Sequence, residues 1–307
     1  MLRPEGAVVS KGVLRSTALM VAAVVLLVGL ASCRPVPASG RYSTQIYTDA
    51  QLTTVSNVVY ATVENAAGTM INLGLDLYLP PADAGPTLRP MVIAIHGGGF
   101  TSGSRTSMAS AARSYARRGF VAATISYRLD PGAGPFDMGR YLSAILDAID
   151  DGMESARWAR SVASTYQIDT TRIAMVGSSA GGAIAMGTAV MDDPTPGGPL
   201  GAHSPKIASA VSTGVNLRLG FENGVVTVTP ADAPIHMFHY STDTVTGDSI
   251  EVALQTCTNV SQGGGKCSLY HNEGTGHTVN LDAGGPFWPE IASYLWNDLN
   301  LFALVPA

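Results

Sequence analysis

The chain predicts an α/β protein, a mostly parallel β-sheet with helices on both faces, carried in one domain over residues 57–307. Continuous apolar runs at 91–95, 120–126 and 172–177 read as strands buried on both faces, and segments of helical period separate them. The second observation is the stretch Gly177-Ser178-Ser179-Ala180-Gly181, which joins one of these runs to a small-residue helix. The third is composition. A chain of 307 residues with 46% hydrophobic and 13% charged residues buries a substantial core. Its formal charge of -5, with no run of Lys and Arg to follow a phosphate backbone, argues against a nucleic-acid partner.

From the N-terminus, Arg3, Lys11 and Arg15 precede an uncharged apolar run over 17–30, which is short for a bilayer span and suits a signal-peptide core. It ends Leu30-Ala31-Ser32-Cys33, which resembles the bacterial lipobox. Residues 1–32 are therefore expected to be a lipoprotein signal peptide. The resemblance implies an exported bacterial lipoprotein, anchored to a membrane at the cell surface or periplasmic side by lipid on Cys33. The alternative is an ordinary secretory signal and a secreted chain. Residues 33–56, opening with Arg34-Pro-Val-Pro-Ala-Ser-Gly40, read as a tether, because prolines and small residues do not build a packed element.

Residues 57–64 and 70–79 read as a hairpin around the turn signal Asn65-Ala-Ala-Gly68. The strand at 91–95 leads into His96-Gly97-Gly98-Gly99-Phe100. A helix over 107–118 is stopped by Gly119, and the strand at 120–126 follows. One or two helices fit the amphipathic pattern of 138–166. Beyond the Ser179 turn come a helix at 182–191, strands at 207–215 and 235–240, a helix at 249–258, a strand at 267–271 and a terminal helix at 289–302. Cys257 and Cys267, an even pair in an exported chain, are expected to form a disulfide closing the glycine-rich loop 263–265. Metal ligation by the two thiolates lacks nearby partner residues.

The glycine-flanked turn lifts the Ser179 hydroxyl clear of the sheet and points a helix N-terminus at it, as a nucleophile requires. A Gly/Ser-rich strand-to-helix turn with no chemistry is the plain alternative. A serine needs a base and an acid to orient that base. His277, in Gly274-Thr-Gly-His277 after the last strand, is the candidate base, and Asp243, after the strand at 235–240, is the candidate acid. Asp248 is read as a helix cap and Asp232 as lying at the opposite sheet edge. The bare loop Gly97-Gly98-Gly99 offers backbone NH groups to a developing oxyanion, and His96 is read as its brace. Phe100, Phe287 and Trp288 are candidates to line the cleft.

His96-Gly-Gly-Gly-Phe100 together with Gly177-Ser-Ser-Ala-Gly-Gly182 resembles the α/β-hydrolase fold and, within it, the hormone-sensitive-lipase-like carboxylesterases. The resemblance implies an eight-stranded sheet, a Ser179-Asp243-His277 triad, and the NH groups of Gly98, Gly99 and Ala180 as oxyanion donors. Tyr127-Arg-Leu-Asp-Pro131 is similar to that group's Asp-Tyr-Arg-Leu-Ala-Pro segment, with Ser126 and Asp130 departing from it. The expected N-terminal helical cap has no counterpart, so the cap is minimal or absent. The expected activity is hydrolysis of short-to-medium acyl or aryl esters, small or polymeric, through an acyl-enzyme that needs no metal or organic cofactor. A serine peptidase or amidase of the same fold, and a catalytically inactive binding protein, are the competing readings.

Overall fold

The structure, a computed structural model, describes residues 33–196 and 200–305. The expected signal segment 1–32 lies outside the described residues, and Cys33 is exposed. Among the described residues, no helix is long and apolar enough to cross a membrane.

Eight strands form one sheet: β1 (Thr53–Glu64), β2 (Met70–Leu79), β3 (Arg89–Ile95), β4 (Val121–Ile125), β5 (Ile168–Ser178), β6 (Ser209–Thr213), β7 (Ile235–Asp243) and β8 (Cys267–Gly276). Their order is β1-β2-β4-β3-β5-β6-β7-β8. β2 runs antiparallel to both β1 and β4, and every other pairing is parallel. All residues of β3, β4 and β6 are buried, as expected of strands covered on both faces. The β1–β2 hairpin turns where the Asn65 side chain accepts from the NH groups of Ala67 and Thr69, both at 3.0 Å.

Two apolar layers sandwich the sheet. One contains α2 (Met138–Ser161), α4 (Ala180–Val190) and α6 (Ile250–Gln262), with the short α3 (Ala163–Tyr166) and α5 (Arg218–Glu222) beside them. The other holds α1 (Ala109–Ala116) and α7 (Trp288–Asp298). The Asp137 side chain caps α2 by accepting from Arg140 N at 3.1 Å. Helix α4 is buried along its whole length, which suits a helix apolar all round and rich in Gly and Ala.

The segment 33–56 is not a tether throughout. Residues from Val36 onward belong to one compact unit. Tyr42 is buried against Phe120, with ring centroids 4.8 Å apart, and its NH donates to Arg118 O at 2.8 Å. Tyr47 is buried too, Arg41 pairs with Asp83, and Trp288 Nε1 donates to Ser43 O at 2.8 Å. The proline and glycine content of 34–40 conceals the aromatic residues that follow, and those supply the packing. β1 likewise begins at Thr53, ahead of the expected start at 57, with a bulge between Val55 and Val58.

Candidate active site

The parallel strands all end at one edge, and the four segments that matter leave it there. β3 continues into His96–Phe100, β5 into Ser179, β7 ends at Asp243, and β8 is followed at once by His277. Ser179 has φ 54° and ψ -122°, a left-handed backbone that a serine adopts only when its surroundings enforce it. Part of the enforcement comes from β6, where Thr213 O accepts from Ser179 N at 2.8 Å. The flanking glycines are required by close approach: a Cβ on Gly177 meets Gly181 O at 2.0 Å, and one on Gly181 meets Ile95 O at 2.2 Å.

Ser179 Oγ lies 2.9 Å from His277 Nε2, and His277 Nδ1 lies 2.8 Å from Asp243 Oδ2 and 2.9 Å from Oδ1. The carboxylate sets the tautomer, with Nδ1–H donating to Asp243 and Nε2 left to accept from the serine. Asp243 is only 2% exposed. Burial raises its pKa, but the NH groups of Thr246 and Val245 and the His277 imidazole outweigh that and hold the carboxyl below the ordinary range.

Among the described residues, no hydrogen bond occupies the NH of Gly98, Gly99 or Ala180. Gly98 has φ 126°, and a Cβ there meets Ser102 O at 2.0 Å, so only glycine carries the chain through this loop. The His96 ring stacks on Tyr127 at 4.4 Å, with Nδ1 2.6 Å from Gly97 O. Burial lowers its pKa, with the Gly97 carbonyl working against the shift, and the neutral ring braces the loop. Tyr127 OH donates to His96 O at 3.0 Å from beneath.

Two expectations are corrected. Phe287 and Trp288 do not line the cleft. Phe287 packs edge-on to Phe238 and Tyr270, and Trp288 packs under the Arg118 guanidinium, both in the α1–α7 layer. Closeness in sequence to His277 says nothing about which face of the sheet a residue joins. Asp248 does not cap α6, whose N-cap is Ser249; it accepts from Asn216 Nδ2 at 2.9 Å and faces Arg218 at 3.6 Å. Asp232, as expected, lies ahead of β7 and away from the site, accepting from Thr229 N at 2.7 Å. Of the remaining histidines, His236 engages Asp298, His239 Tyr240 O and His271 Ser241, and His203 lies in the loop ahead of β6. Among the described residues no group of three or more His, Cys, Asp or Glu is placed to hold a metal. Cys257 and Cys267 are disulfide-bonded, with Cα atoms 5.1 Å apart.

Sequence reasoning missed Thr213. Its carbonyl fixes Ser179, and its hydroxyl accepts from Val279 N at 2.9 Å, two residues beyond the histidine. No motif marks it. The only sign is its place at the end of the strand beside β5.

Strand order and the strand-to-helix serine turn together define the α/β-hydrolase fold. Comparison with known proteins agrees. The structure resembles the thermophilic esterase Est2 of the planctomycete Thermogutta terrifontis, with a TM-score of 0.62 for the native form at 22% identity, over 87% of this chain and 97% of that one. Its propionate-bound form gives 0.61 at 23% identity, over 82% and 96%. The family model described as BD-FAE matches residues 75–196, a span that includes Gly98, Gly99 and Ser179 but stops before Asp243 and His277. A phenmedipham hydrolase of Pseudarthrobacter oxydans is 35% identical over 36% of this chain and 21% of its own length. Esterase LipI of Mycobacterium tuberculosis is 30% identical over 42% and 36%. An ethyl acetate hydrolase of Pseudomonas putida is 32% identical over 37% and 33%. The chain thus spans about a fifth to just over a third of the curated relatives it matches.

Proposed function

We propose that this chain is a serine carboxylesterase. The observation that carries the reading is the unbroken relay from Ser179 Oγ through His277 to the buried Asp243, facing unoccupied amides across the serine. Ser179 Oγ attacks the ester carbonyl carbon while His277 Nε2 takes its proton. Negative charge collects on the former carbonyl oxygen, where the NH groups of Gly98, Gly99 and Ala180 and the N-terminus of α4 receive it. The tetrahedral intermediate collapses, His277 returns the proton to the departing alcohol, and the acyl group stays on Ser179. Water activated by the same histidine releases the acid. Similarity to proteins named as esterases and ester hydrolases favours esters over peptides as substrates.

A fluorophosphonate probe tests the site. Mass spectrometry is expected to locate the adduct on Ser179, and the His277→Ala variant to react at least a hundredfold more slowly. Labelling elsewhere, or none, contradicts the reading.

The location of the enzyme is proposed from the first 33 residues. Cleavage before Cys33 and lipidation of that cysteine would place the domain at a membrane surface with no spanning helix. Radiolabelled palmitate incorporated into the wild type and absent from Cys33→Ala supports this; equal labelling of both overturns it.

A further inference from the structure

Next to the relay, a cavity of about 580 Å³ opens between α2 and the segment that follows β6. It begins at Gly99 and Phe100 of the oxyanion loop and at Ala183, whose NH donates to Ser179 O one turn along α4. Its walls include Leu142, Ile145, Val215 and Leu219. Of the polar side chains on its lining, Asn216 and Arg218 both engage Asp248, Thr101 donates to Gly98 O, Thr246 accepts from Asp248 N, and Tyr141 adds a hydroxyl. The interior therefore offers mainly apolar surface and no unpaired charge.

The rim is apolar as well, and it is built. Phe136 is fully exposed at the tip of the turn Gly134–Asp137, closed by Asp137 N donating to Gly134 O at 3.1 Å. Its neighbours Pro135 and Met138 line the cavity, as does Val245 from the loop of the acid. Met138 and Val245 are also exposed. An isolated surface apolar residue is ordinary, but exposed apolar side chains gathered at the mouth of a site are not. The loop is held in place at its base. Asp130 N donates to Phe100 O at 2.9 Å, and the Asp130 carboxylate takes a two-pronged bond from Arg140, 2.6 Å at Nε and 2.5 Å at Nη2. This gives Asp130 a role: it locks the Phe136 turn to the oxyanion loop.

Resting on the esterase reading, we propose that the natural ester carries one extended apolar arm, longer than a butyl chain, which fills this cavity and leaves it across Phe136. A volume within the range of about 300–1,000 Å³ that holds whole drug-sized ligands is far more than an acetyl group requires. Phe136 and Ile145 are then specificity-determining residues. The arm hangs from either the carbonyl carbon or the ester oxygen, and two substrate series separate these.

The test measures kcat/KM for p-nitrophenyl acetate, butanoate, hexanoate and octanoate, and for methyl, butyl and octyl acetates. In one series kcat/KM rises about threefold to fourfold per methylene up to the longest chain. Ile145→Trp, which fills the cavity, lowers the ratio of longest to shortest substrate at least tenfold. Phe136→Ser lowers it severalfold through KM. A profile flat within threefold in both series, or ratios unchanged in both variants, overturns the proposal while the esterase reading stands. If no ester is cleaved, that reading fails and the cavity is judged by calorimetry with non-reacting ketones. There 2-decanone should bind at least tenfold tighter than 2-butanone, with the difference lost in Ile145→Trp; equal binding overturns the proposal.

Discussion

At Ser179 the backbone is left-handed, the amide is tied to Thr213, and the glycines on either side admit no Cβ. Two residues around it yield predictions. Replacing Asp243 with Asn keeps the size and loses the carboxylate that sets the His277 tautomer, so kcat is expected to fall about 10⁴-fold. The same variant reports on stability. Asp243 titrates below its unfolded value of about 3.9, so its stabilisation is complete above that pH and is lost as pH falls through the lower folded value. Urea unfolding at pH 6 and pH 3 should show a smaller loss of stability on acidification in Asp243→Asn than in the wild type. Gly98→Ala displaces the loop from Ser102 and is expected to lower kcat about 10²–10³-fold. The serine and the histidine were legible because glycines frame them in sequence. Thr213 was not, because a carbonyl and a hydroxyl contributed from a neighbouring strand leave no pattern.

Among the elements, the fully buried strands were legible to within two residues at either end, since continuous apolar runs bounded by polar and glycine residues read as buried strands. Those at the margins were not. β8 extends to Gly276, five residues past its apolar part, because pairing with β7 continues across a bulge through polar residues. This extension brings His277 level with Asp243. The link between α6 and β8 makes a separate prediction. Its disulfide closes a loop between cysteines ten residues apart, so Cys257→Ala with Cys267→Ala should lose about 2–3 kcal/mol in denaturant unfolding. Behind the site, Arg128 forks onto the buried Asp151, with Nε 2.9 Å from Oδ1. Arg128→Ala strands that carboxylate and is expected to cost about 3–5 kcal/mol, most of it recovered in Arg128→Ala with Asp151→Ala.

For the whole molecule, the alternation of strands with helices predicted the class of fold, the number of strands required the resemblance carried by the glycine loops, and the strand order came only with the structure. Residues 41–47 escaped the reading because their partners, Arg117, Arg118, Phe120 and Trp288, lie far along the chain. A chain beginning at residue 36 should melt with the mature protein, and one beginning at 53, which uncovers Phe120 and Trp288, at least 5 °C lower. Equal melting temperatures would return the segment to the status of a tether. The proposed chemistry is organised at the same scale, since the candidate nucleophile, base, acid and oxyanion loop come from four strands that share one edge. The most direct test of that arrangement is kcat/KM for p-nitrophenyl acetate in the wild type and in Ser179→Ala, with matched circular dichroism. The account predicts robust hydrolysis by the first and a loss of at least 10⁴-fold in the second with the fold unchanged. Hydrolysis retained within tenfold by Ser179→Ala would contradict it.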